Sequence, residues 1–117
     1  MNENVILEKS CRFALRIVRL YKFLSEEKKE FVLSKQALLA GTYVGAHVKA
    51  AQEGEAKTVF VHEMSAALQK ASQAQYWLQL LRDAEYLDEK AFASIHDDCV
   101  ELIKLLTSIV KTARRPQ

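Results

Sequence analysis

Hydrophobic residues recur along the chain at spacings of three and four, which is the pattern of α-helices that bury one face. The pattern predicts four helices, over about residues 4–24, 31 or 34 to 52, 58–84, and onwards from an N-cap at Asp88. The core-facing residues expected on the first, third and fourth helices are Ile6, Phe13, Ile17, Leu20 and Leu24; Phe60, Met64, Ala67, Ala71, Ala74, Leu78 and Leu81; and Phe92, Ile95, Cys99, Leu102, Leu106 and Ile109.

Residues that break helices are scarce in this sequence. The chain has one proline, at position 116, and three glycines, which favours long helices over a β-rich fold with many turns. The predicted breaks are the charged segments SEEKK and EGEAK, the second with Gly54 as a helix stop. A chain of 117 residues can form one domain around one core, so we expect residues 1–117 to form a single unit. Four amphipathic helices with short connections predict an all-α fold, an antiparallel up-and-down four-helix bundle.

The second predicted helix carries two glycines, Gly41 and Gly45, in its interior. Each costs about 1 kcal/mol relative to alanine, so their presence indicates that helices approach closely there. On a helical wheel they belong with or beside a face of small side chains that is expected to form bundle core. That face consists of Ala37, Ala40, Gly41, Val44, Val48 and Ala51.

The opposite face of the second helix is also apolar. It holds Leu39, Tyr43, Ala46 and Ala50, where a surface helix is usually polar. A helix that is apolar on both sides is usually covered on both sides, so this face predicts a contact with another subunit or a partner protein. The alternative is a few scattered exposed apolar residues, which monomers tolerate.

Three segments carry a resemblance to a known family. They are QALLAGTYVGAHVKAA (residues 36–51), KASQAQYWLQLL (residues 70–81) and LLTSIVKTAR (residues 105–114). They are similar to segments of the four-helix bundle proteins first noticed as reading frames within intervening sequences of bacterial 23S ribosomal RNA genes. The resemblance implies an antiparallel bundle that assembles into a ring, typically a homopentamer, without known enzymatic activity. A relative, the accessory variability protein of diversity-generating retroelements, is a basic pentamer that binds a reverse transcriptase and nucleic acid.

The chain departs from the family's pattern at positions on the second and third helices. A site built on acidic residues at those positions in relatives is therefore not expected here, and the outer face of the second helix is more apolar than usual. The departures are Leu39 for arginine, Tyr43 for serine, His47 for asparagine, Lys49 for an acidic residue, and Lys70 and Gln73 for glutamates.

Basic residues form two groups. A stripe on the first helix, predicted to lie roughly opposite its apolar face, could follow phosphates without reading bases, or could bind an acidic partner protein. The alternative is an ordinary solvated helix face, and the formal net charge of +2 does not by itself indicate nucleic acid. The stripe comprises Lys9, Arg12, Arg16, Arg19 and Lys22, and the second group, near the C-terminus, comprises Lys111, Arg114 and Arg115.

The sequence offers little catalytic or metal-binding chemistry. His47, His62 and His96 fall on three different helices, without a metal-binding spacing, so neither a metal nor a cofactor is expected. Cys11 and Cys99 are expected to be reduced residues near the core.

The adjacent aromatic residues Tyr76 and Trp77 are candidates for stacking on bases. In a bundle, such residues more often pack closely between helices or anchor an interface, and we expect that role here.

No signal peptide and no apolar run long enough to span a bilayer is evident, so a cytoplasmic protein without membrane contact is expected. The first hypothesis is a non-enzymatic homo-oligomeric scaffold that binds nucleic acid or an acidic partner through the first helix. The second is a structural module that binds a partner protein through the second helix, with no nucleic-acid role. An enzyme is the remote third hypothesis.

Overall fold

The computed structural model describes residues 3–116, and residues 1, 2 and 117 of the predicted unit lie outside the described residues. It contains four helices, α1 (Glu3–Glu27), α2 (Leu33–Glu53), α3 (Lys57–Asp83) and α4 (Glu89–Ala113). Residues 3–116 contain no strand, and no helix among them is long and apolar enough to cross a membrane. The predicted number, order and approximate limits of the helices are confirmed.

Each helix packs against its neighbours in the chain, and α4 returns to pack against α1. The cross-helix contacts run in opposite directions along each pair. On α1 and α4, for example, Lys9 contacts Glu101 whereas Arg16 contacts Asp98. The predicted antiparallel up-and-down four-helix bundle is therefore confirmed, and it is about 50 Å long and 21 by 19 Å across.

The core follows the predicted spacing on all four helices. The fully buried side chains include Phe13 of α1, Val44 of α2, Leu78 of α3 and Leu102 of α4. Two details of the core differ from the prediction. Leu20 and Phe60 are half-buried at the edge of the core, and on α4 it is Val110, rather than the half-buried Ile109, that closes the seam.

Glu30 organises the break between α1 and α2. Its carboxylate accepts hydrogen bonds from the backbone N–H groups of Val32, Leu33 and Ser34, at 3.0, 2.9 and 2.7 Å. The Ser34 hydroxyl donates in turn to the Glu30 carbonyl at 2.8 Å. This side chain therefore satisfies backbone donors at the start of α2 that have no partner within the helix.

The other two breaks use different devices. Gly54 follows α2 as predicted, but its backbone is extended rather than left-handed, and a Cβ there would lie 2.6 Å from Val59 Cγ1. After α3, Glu85 adopts a left-handed conformation and the N–H of Tyr86 donates to the Leu81 carbonyl, as in a Schellman motif. Asp88 then caps α4 by accepting from the Ala91 N–H at 2.7 Å, which confirms the predicted N-cap.

Candidate functional site

The two glycines of α2 face α1, but they do so at different distances. A Cβ added at Gly41 would lie 2.7 Å from Ile17 Cγ1, which is closer than atoms can pack. A Cβ added at Gly45 would lie 3.5 Å from Ser10 Cβ, an ordinary van der Waals contact. Both glycines sit at a close helix approach, but only Gly41 is sterically required to be glycine.

The opposite side of α2 is exposed in the single chain. We call Leu39, Tyr43, Ala46 and Ala50 the α2 outer face. Leu39 and Tyr43 are 37% and 46% exposed, Ala46 is also exposed, and Ala50 is half-buried. On the neighbouring helix α1, Leu15 and Val18 are exposed as well. Large apolar side chains are thus left open to solvent on adjacent helices.

Tyr43 is held in place by its neighbours. The Lys70 ammonium of α3 lies 5.7 Å from the centre of the Tyr43 ring, within cation–π distance. The His47 ring makes an edge-on contact with Tyr43, with 6.5 Å between ring centres. The ring is therefore partly preorganised at the surface, which lowers the entropy cost of burying it in an interface.

His47 also contacts Glu63 across the α2–α3 pair, with 2.8 Å between Nδ1 and Oε2. Sequence reasoning missed this contact because the two residues belong to different helices. A signal was available, since both lie equally far along the chain from Glu55 at the centre of the α2–α3 break. An antiparallel helix pair brings residues at such positions to the same level.

Close packing within the bundle is found for only one of Tyr76 and Trp77, and an interface role for either residue stays a prediction. Trp77 is half-buried and packs against the core, whereas Tyr76 is 56% exposed, so close packing within the bundle is wrong for Tyr76. The reason is helical geometry. Tyr76 comes two residues after the buried Ala74 and therefore points away from the core, touching Trp77 edge-on at 5.0 Å between ring centres.

The basic stripe of α1 is divided by the structure. Lys9 forms an ion pair with Glu101 at 3.2 Å, and Arg16 forms one with Asp98 at 2.7 Å. Arg16 also donates to the Ser94 carbonyl and hydroxyl oxygens, at 3.1 and 2.8 Å.

The predicted position opposite the apolar face is therefore wrong for Lys9 and Arg16. Both are half-buried at the boundary between α1 and α4, where acidic side chains of α4 meet them.

The remaining members of the stripe are exposed. Arg12, Arg19 and Lys22 form no ion pair among the side chains of residues 4–116. Near the C-terminal end, Arg114 and Arg115 line a cavity beside the start of α3, and Lys111 is exposed one turn earlier. The two predicted basic groups lie on different parts of the bundle.

Within residues 4–116, no three His, Cys, Asp or Glu side chains could share a metal ion. The two cysteines are not disulfide-bonded. Cys11 is exposed, so its expected place near the core is wrong, because it projects from α1 away from the buried seam.

Cys99 is buried in the core seam as expected, and its thiol donates to the Ala71 carbonyl at 3.3 Å. Burial, together with the negative charge of Asp98, raises the pKa of this thiol to about 12. Because the thiolate is the reactive form, Cys99 is unsuited to act as a nucleophile.

His96 lies one turn before Cys99 and stacks on the Phe92 ring, with 4.6 Å between ring centres. Its Nε2 lies 3.2 Å from Gln75 Nε2. These contacts place His96 at the edge of the core and give it structural neighbours.

Comparison with known proteins agrees with this architecture. The sequence model of the 23S rRNA-intervening sequence protein family matches residues 2–108. The chain belongs to this family. The match includes α1, α2, α3 and most of α4, so the family's segments are those that build the bundle.

A solved relative has the same fold as this chain. It is a protein of unknown function from the S23 ribosomal protein family of Bacteroides thetaiotaomicron, 45% identical to this chain. The alignment covers 95% of this chain and 99% of the relative, with a TM-score of 0.93. None of the curated proteins matches the chain.

Proposed function

We propose that the chain is a non-enzymatic scaffold that assembles with copies of itself through the α2 outer face. One observation carries the proposal, namely the exposed apolar surface of Leu39 and Tyr43 on a helix that is already buried on its other side. Large apolar side chains grouped on a surface are a mark of interaction sites. The family resemblance, which implies a homopentameric ring, supports assembly with copies of the same chain.

The assembly is tested by placing a charge in this surface. In Tyr43→Glu, a carboxylate would have to be desolvated at the interface, so the variant is expected to assemble at least about tenfold more weakly. Phe31→Glu is the matched control, because Phe31 is an aromatic residue of similar exposure, 54% against 46%, outside the α2 outer face.

Sedimentation velocity across a concentration series gives the readout. The proposal requires Tyr43→Glu to shift to smaller species while Phe31→Glu sediments like the wild type. Equal behaviour of the two variants would contradict an interface at Tyr43, provided that circular dichroism shows both to be folded.

The scaffold is further proposed to bind nucleic acid through the exposed cations of α1, Arg12, Arg19 and Lys22. The proposal is supported by the exposure of all three side chains, none of which has a carboxylate partner among residues 4–116. The contribution of Lys9 and Arg16 is expected to be small because Glu101 and Asp98 neutralise them. Assembly would repeat the group around a ring and strengthen weak phosphate contacts by avidity.

A binding titration at several salt concentrations tests nucleic-acid binding. The double variant Arg12→Gln, Arg19→Gln should bind duplex DNA more weakly and lower the slope of log K against log salt by about 2 per bound subunit. Lys35→Gln, Lys104→Gln removes the same charge from exposed sites on α2 and α4 that also form no ion pair among residues 4–116, and it should leave the slope unchanged. Absence of binding by the wild type at low salt would refute this part of the proposal.

A second candidate function is a structural module that uses the same α2 outer face for a different protein. The contacts of the Tyr43 ring with Lys70 and His47 favour a specific contact of either kind. The two candidates differ in the purified state. A module for a foreign partner would remain monomeric alone, whereas the scaffold would not. In both cases we expect a cytoplasmic location.

A further inference from the structure

A cavity lies between the start of α3 and the end of α4, at one end of the bundle. Its volume is about 460 Å³, and its lining comes from the first turns of α3 and from the last residues of the described chain. We call it the end cleft. Its walls are formed by Lys57, Thr58, Val61, His62, Ser65, Ala113, Arg114, Arg115 and Pro116.

The end cleft is strongly basic. Lys57, Arg114 and Arg115 each bring a positive charge and His62 adds an imidazole. Among residues 4–116, no aspartate or glutamate lines the cleft. None of the three cations takes part in an ion pair formed within residues 4–116. This differs from the α1 stripe, where two of five cations are neutralised by α4.

Hydrogen bonds to uncharged acceptors hold two of these cations in place. Arg114 Nη2 donates to the Ser65 hydroxyl at 3.0 Å, and Lys57 Nζ donates to the Arg115 carbonyl at 3.2 Å. Each contact uses one donor, so the guanidinium keeps four N–H groups and the ammonium keeps two. The positive charges are thus positioned without being cancelled by a carboxylate of residues 4–116.

Neutral parts of the lining favour an anion that carries an organic group. The hydroxyls of Thr58 and Ser65 are hydrogen-bonding groups of the wall, and Val61 and Pro116 are apolar. The cleft is larger than a phosphate ion alone, whose share of space is comparable to a few waters of about 30 Å³ each. In addition, α3 begins at Lys57 without a side-chain cap, so the positive end of its dipole adds to the field of the cations.

We infer that the end cleft binds the phosphate monoester of a nucleotide, either free or at the end of a nucleic-acid strand. A monoester is more highly charged than a phosphate inside a strand and offers three terminal oxygens to Arg and Lys donors. Val61 and Pro116 would contact the sugar or base. The site is separate from α1, and a free nucleotide suffices to test it, so it can hold even if α1 binds no nucleic acid.

Calorimetric titration of the full chain with adenosine monophosphate, and with adenosine as the uncharged match, tests the site. The monophosphate is expected to bind at least about tenfold more tightly than adenosine. In the double variant Arg114→Gln, Arg115→Gln, the ratio of the affinity for the monophosphate to that for adenosine should fall by at least about tenfold, because charge-assisted hydrogen bonds are lost. Arg12→Gln, Arg19→Gln, which leaves the end cleft intact, should bind the monophosphate as the wild type does.

A second arm distinguishes the two sources of the monoester. The same short single strand is compared with a 5′-phosphate and with a 5′-hydroxyl. Preference for the 5′-phosphate that is abolished in Arg114→Gln, Arg115→Gln supports a strand end, and binding of the mononucleotide alone supports a free nucleotide. If neither phosphate-bearing probe binds better than its phosphate-free match, or if the cleft variant binds both as the wild type does, the inference is overturned.

Discussion

Single residues on α2 decide how closely two helices pack. Gly41 and Gly45 look equivalent in the sequence, because both interrupt a helix at a cost of about 1 kcal/mol. In the bundle, Gly41 faces the branched carbons of Ile17, whereas Gly45 faces the small side chain of Ser10. The cost of a glycine inside a helix predicted that both lie at a close approach, but the room beside each depends on the partner helix and its register.

Alanine substitutions separate the two glycines. Gly41→Ala is expected to lower the free energy of unfolding by about 1–3 kcal/mol, because its Cβ would overlap Ile17, which is itself fully buried. Gly45→Ala is expected to be neutral or to raise stability by up to about 1 kcal/mol, because the helix gains propensity and the Cβ fits.

Urea unfolding at one fixed protein concentration measures both variants, since assembly would make the midpoint depend on concentration. A Gly41→Ala variant as stable as Gly45→Ala would contradict the close contact with Ile17.

Ser10, the neighbour of Gly45, is a polar residue in an otherwise mostly apolar interior. It is fully buried, and among the described side chains its hydroxyl is the buried polar atom without a hydrogen-bond partner. Ser10→Ala should raise the free energy of unfolding by about 1–2 kcal/mol, because an unsatisfied buried group is removed. Ser72→Ala on exposed α3 surface supplies the control and should gain only the helix-propensity difference of about 0.5 kcal/mol. An equal gain in both variants would show that the Ser10 hydroxyl is satisfied.

At the scale of elements, the breaks set where each helix begins, and Glu30 is the main example. Burial by itself raises the pKa of Glu30, but hydrogen bonds from the N–H groups of Leu33, Ser34 and Val32 and from the Ser34 side chain outweigh it. The pKa of Glu30 is therefore lowered from 4.5. A carboxyl group with a lowered pKa stabilises the fold above its unfolded value, and this contribution is lost as the pH falls through the folded value.

Glu30→Gln should reveal that contribution. At pH 7 the variant is expected to be less stable by about 1–2 kcal/mol, since the charged cap of α2 is lost. The gap to the wild type should narrow as the pH falls below 4.5, because the wild-type carboxylate then becomes protonated. Unfolding curves between pH 3 and 7 measure the gap, with Glu26→Gln at the exposed end of α1 as the control. A gap that stays constant over this range would contradict a charged cap at Glu30.

The helices themselves were predictable, whereas contacts between them mostly were not. The spacing of Ile17 or Leu78 reports which face of a helix is buried, because that face repeats within one segment. The pairing of Arg16 with Asp98 depends on how α1 and α4 slide and rotate against each other, which no single segment encodes. For the same reason, the sequence predicted which basic residues lie on α1 but not that Lys9 and Arg16 face α4.

At the scale of the whole molecule, the surface is divided into regions of different character. The α2 outer face is apolar, and the end cleft is basic at one end of the bundle. Arg12, Arg19 and Lys22 of α1 are exposed cations that form no ion pair among residues 4–116. The apolar face and both basic groups were visible in the sequence as patterns. The cleft was not, because Lys57 and His62 meet Arg114 and Arg115 only after the chain has folded back on itself.

These regions fit the proposed scaffold, which would assemble through one side and bind anions on others. The central claim is therefore assembly. Assembly would also increase the avidity of each proposed binding site, because a ring would present every basic group several times.

Light scattering coupled to size-exclusion chromatography tests that claim most directly. The chain has a mass of 13.3 kDa, so assembly requires a particle of several times this mass, five times for the ring that the family resemblance implies. The particle should persist on dilution to about micromolar concentration, as expected for an apolar interface of standard size. A particle of 13.3 kDa at every concentration would contradict assembly through the α2 outer face.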